Sequence, residues 1–254
     1  VRAIAPAVLL LFALALALAM AAAAQVSQRP VDAVVPVVGS TSGAFGARFR
    51  TEMQLNNAGT VRASGWLILR PQGSAVPPGG TVLPYDLAPH ATLSFDDVLT
   101  SFGFTGLGSL DILVDRGELP IVVARAYDDQ DGKTTGVTVP LVPYTEVLTR
   151  NDVSALIVPR DLTRYRFNIG ARSLGGGATV DVIVRNAAGA ERHRRTLVLG
   201  ENEFLQQPGD TFAGIALQPN DSIEVRVVAG TSIVYGTTVD NATNDSSFQL
   251  LRRR

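Results

Sequence analysis

Nucleophilic catalysis needs a serine or cysteine within reach of a base, most often histidine. This 254-residue sequence has no cysteine and two histidines, His90 and His193. His90 follows Pro89 at an expected turn, and His193 lies in the polar run Arg192-His193-Arg194-Arg195, so both read as surface residues. Gly39-Ser40-Thr41-Ser42-Gly43 has the spacing of a nucleophile elbow. Its centre is Thr41, and no strand-to-helix context surrounds it, so it reads as a flexible loop. Asp128-Asp129-Gln130-Asp131-Gly132 offers the alternating carboxylates and turn glycine of an oxygen-rich calcium loop. Asp128, Asp129 and Asp131 are the candidate ligands. Tyr127 stands where a first acidic ligand belongs, and no glutamate closes the loop. Side chains capping their own turn explain the pattern more simply. Calcium remains the alternative and is the only cofactor the sequence suggests. No paired carboxylates stand out for glycosidic cleavage, although a pocket joining His90, Asp96, Asp97 and the 128–131 loop would revive an enzymatic reading.

The arginines are the remaining candidates. Arg160, Arg164 and Arg166 open the second half of the chain, Arg172 follows, and Arg192, Arg194 and Arg195 lie on a later strand. Guanidinium groups bind carboxylates and phosphates in bidentate fashion, so such a surface suits an anionic polysaccharide or lipopolysaccharide. The competing expectation is that charge on polar strand faces keeps the protein soluble and discourages edge pairing.

The elements that position these residues are strands. From Arg48 to Asn56 apolar and polar side chains alternate strictly, which marks a half-buried strand. Arg164–Arg172 repeats the pattern. Further strands are expected at 63–70, 81–87, 91–95, 109–114, 121–127 and 137–142, and at 179–186, 194–199, 201–205, 222–228, 233–240 and 247–251. Asn57-Ala58-Gly59 and Leu174-Gly175-Gly176-Gly177 are read as reversals, Asp115-Arg116-Gly117 and Ala229-Gly230-Thr231 as hairpin turns, and 212–215 as loop. Asp96-Asp97-Val98-Leu99 suits one short helical turn. Short strands spaced by turn signals predict antiparallel β-sandwiches.

The strand series is written twice. Phe49-Arg50-Thr51-Glu52-Met53 returns as Tyr165-Arg166-Phe167-Asn168-Ile169, and Ser109-Leu110-Asp111-Ile112 as Ser222-Ile223-Glu224-Val225. Carried along that register, Trp66 falls on Val182 and is expected in the core. The fold class that follows is all-β, with two tandem antiparallel sandwich domains of related sequence, 31–145 and 156–254. Pro143 to Ala155 reads as the linker between them.

Ahead of them, Arg2, an apolar run and the small residues of Ala19–Ala24 form an expected signal peptide over residues 1–24. That predicts a secreted or periplasmic protein with no membrane span after cleavage. Without cysteine, packing alone must hold the domains, and thiol chemistry and cysteine-ligated zinc are excluded. Residues 31–145 carry 7 basic and 11 acidic side chains, and 156–254 carry 12 and 10. That balance is too mild for a nucleic-acid partner.

Each half opens on a proline-containing lead-in, Val35-Pro36 and Val158-Pro159. A strand such as Arg50-Thr51-Glu52-Met53-Gln54-Leu55-Asn56 follows, and each half closes on Tyr127-Asp128-Asp129 or Val239-Asp240-Asn241. In these elements the chain resembles the tandem Ig-like β-sandwich repeat modules of secreted bacterial proteins, over nearly all of its mature length. The resemblance implies the fold and brings no assigned activity. The second half departs from it at Ala171-Arg172, where the family asparagine is missing. The expected function is that of an exported, non-enzymatic structural, adhesive or protein-interaction pair. The alternative is binding of an anionic glycan or envelope polysaccharide through Arg160, Arg164, Arg166, Arg192, Arg194 and Arg195.

Overall fold

Strict alternation over Arg48–Asn56 produces a strand over the same nine residues, with Thr51, Met53 and Leu55 buried. The computed structural model describes residues 29–73, 81–132 and 135–253; the expected signal segment and the side chain of Asp131 lie outside what it describes. The first half contains β1 (Ala33–Ser42), β2 (Arg48–Asn56), β3 (Ala63–Pro71), β4 (Val82–Leu87), β5 (Thr92–Phe95), β6 (Gly106–Arg116), β7 (Ile121–Asp128), β8 (Gly136–Val139) and β9 (Val142–Pro143). One layer runs β4-β3-β6-β1, with β9 beside β1. The other runs β5-β2-β7-β8. The end of β1 pairs with β2 and joins the layers into one antiparallel sheet. Met53 and Leu55 meet Leu67, Leu69, Leu110 and Ile112 in the core between them.

The second half contains β10 (Leu148–Thr149), β11 (Val153–Ile157), β12 (Tyr165–Arg185), β13 (Glu191–Leu199), β14 (Phe204–Pro208), the short helix α1 (Gly209–Ala213), β15 (Ser222–Asp240) and β16 (Ser246–Leu250). Here β12 and β15 pair along most of their lengths. At one end they carry β14 and β16, and at the other β13 and β11. Phe167 and Ile169 from one end of β12 share a core with Val180 and Val182 from the other, so the ribbon folds back on itself. Glycine permits the fold. Gly177 and Gly230 have φ of 100° and 73°, and a Cβ on Gly230 would lie 2.0 Å from the Gly177 carbonyl oxygen.

The pairings of the two halves correspond. Phe49 faces Asp128 as Tyr165 faces Asp240, and Leu67 faces Ile112 as Val182 faces Val225. This register corrects the placement of Trp66. The counterpart of Val182 is Leu67, one residue on, and a one-residue slip moves a strand side chain to the opposite face. Leu67 is buried in the core, whereas Trp66 lies on the outer face, half-buried, with Nε1 donating to Asp115 at 2.7 Å.

The expected hairpins are also corrected. β6 pairs with β1 and β3, and β7 with β2 and β8, so residues 115–117 carry the chain between layers. Residues 57–59 make the same kind of crossing, while 174–177 and 229–231 lie inside the continuous β12 and β15. The loop expected from Gly39 begins as strand, because Gly39 and Ser40 pair with Leu107 and Gly106. Residues expected as linker include β10 and the start of β11, both paired with β15. Part of the loop expected at 212–215 is helical, since α1 ends at Ala213 with Gly214 as its left-handed cap. Among the described residues, no helix is long and apolar enough to cross a membrane.

Candidate functional site

Alternation along β12 places Arg166, Asn168, Gly170 and Arg172 on one face, and Ile233 and Tyr235 of β15 sit beside Arg172 and Gly170. This face is turned toward the first half of the chain. Tyr235 and Phe204 belong to the first half's core cluster, with Phe248 and Leu250 packed against it.

Arg172 is wholly buried. Its Nη2 meets both carboxylate oxygens of Asp111 at 3.0 and 2.9 Å, its Nε donates to Ser109 Oγ at 2.8 Å, and its Nη1 donates to the Ser173 carbonyl. Arg70 Nε reaches the same carboxylate at 2.8 Å. One buried anion thus holds two guanidinium groups. Burial pulls the Arg172 pKa down, Asp111 opposes that, and Arg70 adds to it. An arginine stays charged in a protein, so the shift registers a desolvation cost borne by the charged side chain. The second half carries a corresponding but partly exposed group, with Glu224 meeting Arg185 at 3.1 Å and Arg226 at 3.9 Å.

The two acidic corners also meet. Asp128 Oδ1 accepts from the backbone N–H of Arg48 and Gln130, at 2.8 and 3.2 Å, and Oδ2 accepts from Asn244 Nδ2 at 3.0 Å. Asp129 pairs with Arg50 at 2.8 Å. Asp240 repeats the turn cap through the N–H groups of Ala242 and Thr243. These donors occupy the carboxylate oxygens as capping does. Among the described residues, no cluster of three or more His, Asp or Glu side chains is arranged to hold a metal. His90 is exposed at a turn, and Asp97 caps the turn Val98–Phe102 while accepting from Ser40 Oγ at 2.6 Å. His193 is part-buried on β13.

Most of the candidate basic residues bond groups within the protein. Arg164 pairs with Asp240 at 2.9 Å, Arg192 with Asp221, and Arg194 with Glu191 at 2.9 Å. Arg195 donates to the carbonyls of Thr211 and Phe212, and Arg160 is exposed. Arg166 differs. It donates to Asn241 Oδ1, Asn244 Oδ1 and the Asp240 carbonyl, all neutral acceptors, at 3.3, 2.8 and 3.5 Å.

The Arg164 guanidinium and the turn N–H groups hold the Asp240 carboxyl below its ordinary 3.8. A depressed carboxylate stabilises the fold at pH above its unfolded value, and that contribution disappears as pH falls through the folded value. Asp240→Asn should therefore cost stability at neutral pH and flatten the loss of stability below about pH 4. Denaturant titrations at pH 7 and pH 3 check both effects, and equal destabilisation at the two pH values contradicts them.

Sequence reasoning missed Asp111, Tyr235 and Asn244, and took Arg172 for a strand-surface charge. The available signal lay in the comparison of the halves, where Asn56 gives way to Arg172 and Val123 to Tyr235. The sequence matches no protein-family model, and no curated protein is similar to it.

Proposed function

We propose that this chain is an exported, non-enzymatic structural or protein-interaction module built from two related β-sandwich halves. The observation that carries this reading is a pair of corresponding faces. In the second half, Ile233 and Tyr235 are 2% and 0% exposed beneath the first half. Their counterparts by strand pairing, Ile121 and Val123 of β7, are 58% and 51% exposed beside Asn56 and Gln54. A face of this type already docks against a β-sandwich within the chain, so the partner that suits its exposed counterpart is another β-sandwich surface. Two neighbouring exposed aliphatic side chains on a flat strand face suit protein contact better than sugar stacking.

Crosslinking of the native exported protein, followed by identification of what it captures, tests this reading. A protein partner lost from the Ile121→Glu, Val123→Glu double variant supports it. Capture of a glycan instead, lost on substituting Arg160 and Arg164, favours the anionic-glycan reading. Glycan binding through those exposed arginines must weaken as salt rises, and salt-independent binding removes the electrostatic version.

A further inference from the structure

A cavity of about 260 Å³ lies between the two halves. Val37, Leu107, Val137, Val139 and Phe248 give it apolar walls, and Arg166 lines it from the second half. The geometry points to a binding site for a small amphipathic carboxylate, a medium-chain acyl anion with its chain between the halves and its head on Arg166. This goes beyond the protein-interaction reading and uses different residues from the Ile121 and Val123 face.

Three features support it. The first is charge. The side chains that Arg166 bonds are amides, although Asp128 and Asp240 lie near enough to favour its charged form. Burial works against that charge, so a carboxylate arriving from solvent would supply the ionic hydrogen bond that the protein leaves unmade.

The second is the cover. Phe45 stands with its ring centre 5.6 Å from the Arg166 guanidinium carbon, and it is 67% exposed. Its backbone is left-handed, with φ 57° and ψ 32°, a strained conformation for an aromatic residue. The neighbouring Gly43 and Ala44 line the cavity, which places Phe45 as a lip beside the anion position.

The third is size. Small-molecule sites begin near ~300 Å³. A volume of about 260 Å³ therefore suits a medium acyl chain rather than a long one. Asn168 and Thr237, also in the lining, add polar groups on the Arg166 side.

The test is titration of the full chain with sodium decanoate, followed by calorimetry and by methyl NMR of valine and leucine. The expected result is saturable binding of one decanoate per chain that shifts the Val37, Leu107, Val137 and Val139 methyls. Shortening the chain should weaken binding by roughly fourfold per methylene. Arg166→Met should weaken decanoate binding by roughly tenfold or more and leave 1-decanol binding unchanged. Val137→Phe, on edge strand β8, should block both ligands by filling the cavity, and it serves as the second variant if Arg166→Met does not fold. The proposal is overturned if those methyls do not respond to decanoate up to about 1 mM, a concentration that would reveal even weak binding. It is equally overturned if folded Arg166→Met binds decanoate as the parent does, or if Val137→Phe leaves binding intact. None of these outcomes bears on capture of a protein partner through Ile121 and Val123.

Discussion

Asp111→Asn is expected to destabilise the protein more than any other single substitution in the buried ionic cluster, by about 3–5 kcal/mol in denaturant unfolding. The Asp111 carboxylate, 0% exposed, is the only anion in contact with both Arg172 and Arg70 among the described residues. Neutralising it removes the carboxylate that both guanidinium groups contact, one of them wholly buried. Domains of ordinary size have only about 5–15 kcal/mol of total stability, so the variant should be close to unfolding at physiological temperature. Arg172→Met should cost less, about 1–3 kcal/mol, despite removing the larger side chain. It takes away one of the two cations and leaves Asp111 paired with Arg70. Chemical denaturation of both variants decides the matter. If Arg172→Met proves the more damaging, the hydrogen bond to Ser109 and the packing of the Arg172 side chain outweigh charge balance in holding the halves together.

The same cluster shows what the sequence could and could not disclose. Periodicity located most strands within a few residues, because a half-buried strand writes its two faces directly into alternate positions. β2 was legible in full. Which strands pair was not, because a glycine turn between two β-branched runs looks alike whether the chain makes a hairpin or crosses to the other layer. Only the pairing of β6 with β3 and β1 distinguishes them. Faces were legible only as far as the repeat register was right. An error of one residue put Trp66 in place of Leu67 and turned an outer side chain inward. Arg172 failed for a different reason. On a polar strand face an arginine ordinarily meets water, and only a second sandwich covering that face makes it a buried ion. The missing asparagine at that position was visible in the comparison of repeats, but its consequence required Asp111, 61 residues away in the chain.

Tyr235 should prove the mechanical link between the halves. Its ring is 0% exposed, stacks on Phe248 with centroids 4.9 Å apart, and its hydroxyl donates to Gln206 Oε1 at 2.7 Å. Although Tyr235 comes from β15, it packs in the first half's core cluster. Tyr235→Ala should cost about 3–5 kcal/mol, in the range of other large aromatic truncations, whereas Tyr235→Phe should lose only about 1 kcal/mol with the hydroxyl bond. The sole tryptophan, Trp66, lies in the first half, so its fluorescence reports that half while far-UV circular dichroism reports both. The two transitions should coincide in the parent protein and separate in Tyr235→Ala, because the lost contact is a large part of the apolar packing that couples the halves. Gly170 supplies the control. A Cβ there would lie 2.0 Å from the Tyr235 ring, so Gly170→Ala alone should be severely destabilising. Once Tyr235 is alanine, the obstructing ring is gone and Gly170→Ala should add almost nothing. Strong non-additivity of this kind identifies direct contact. Additive losses would place the strain in the β12 backbone and remove Tyr235 from its role as the link.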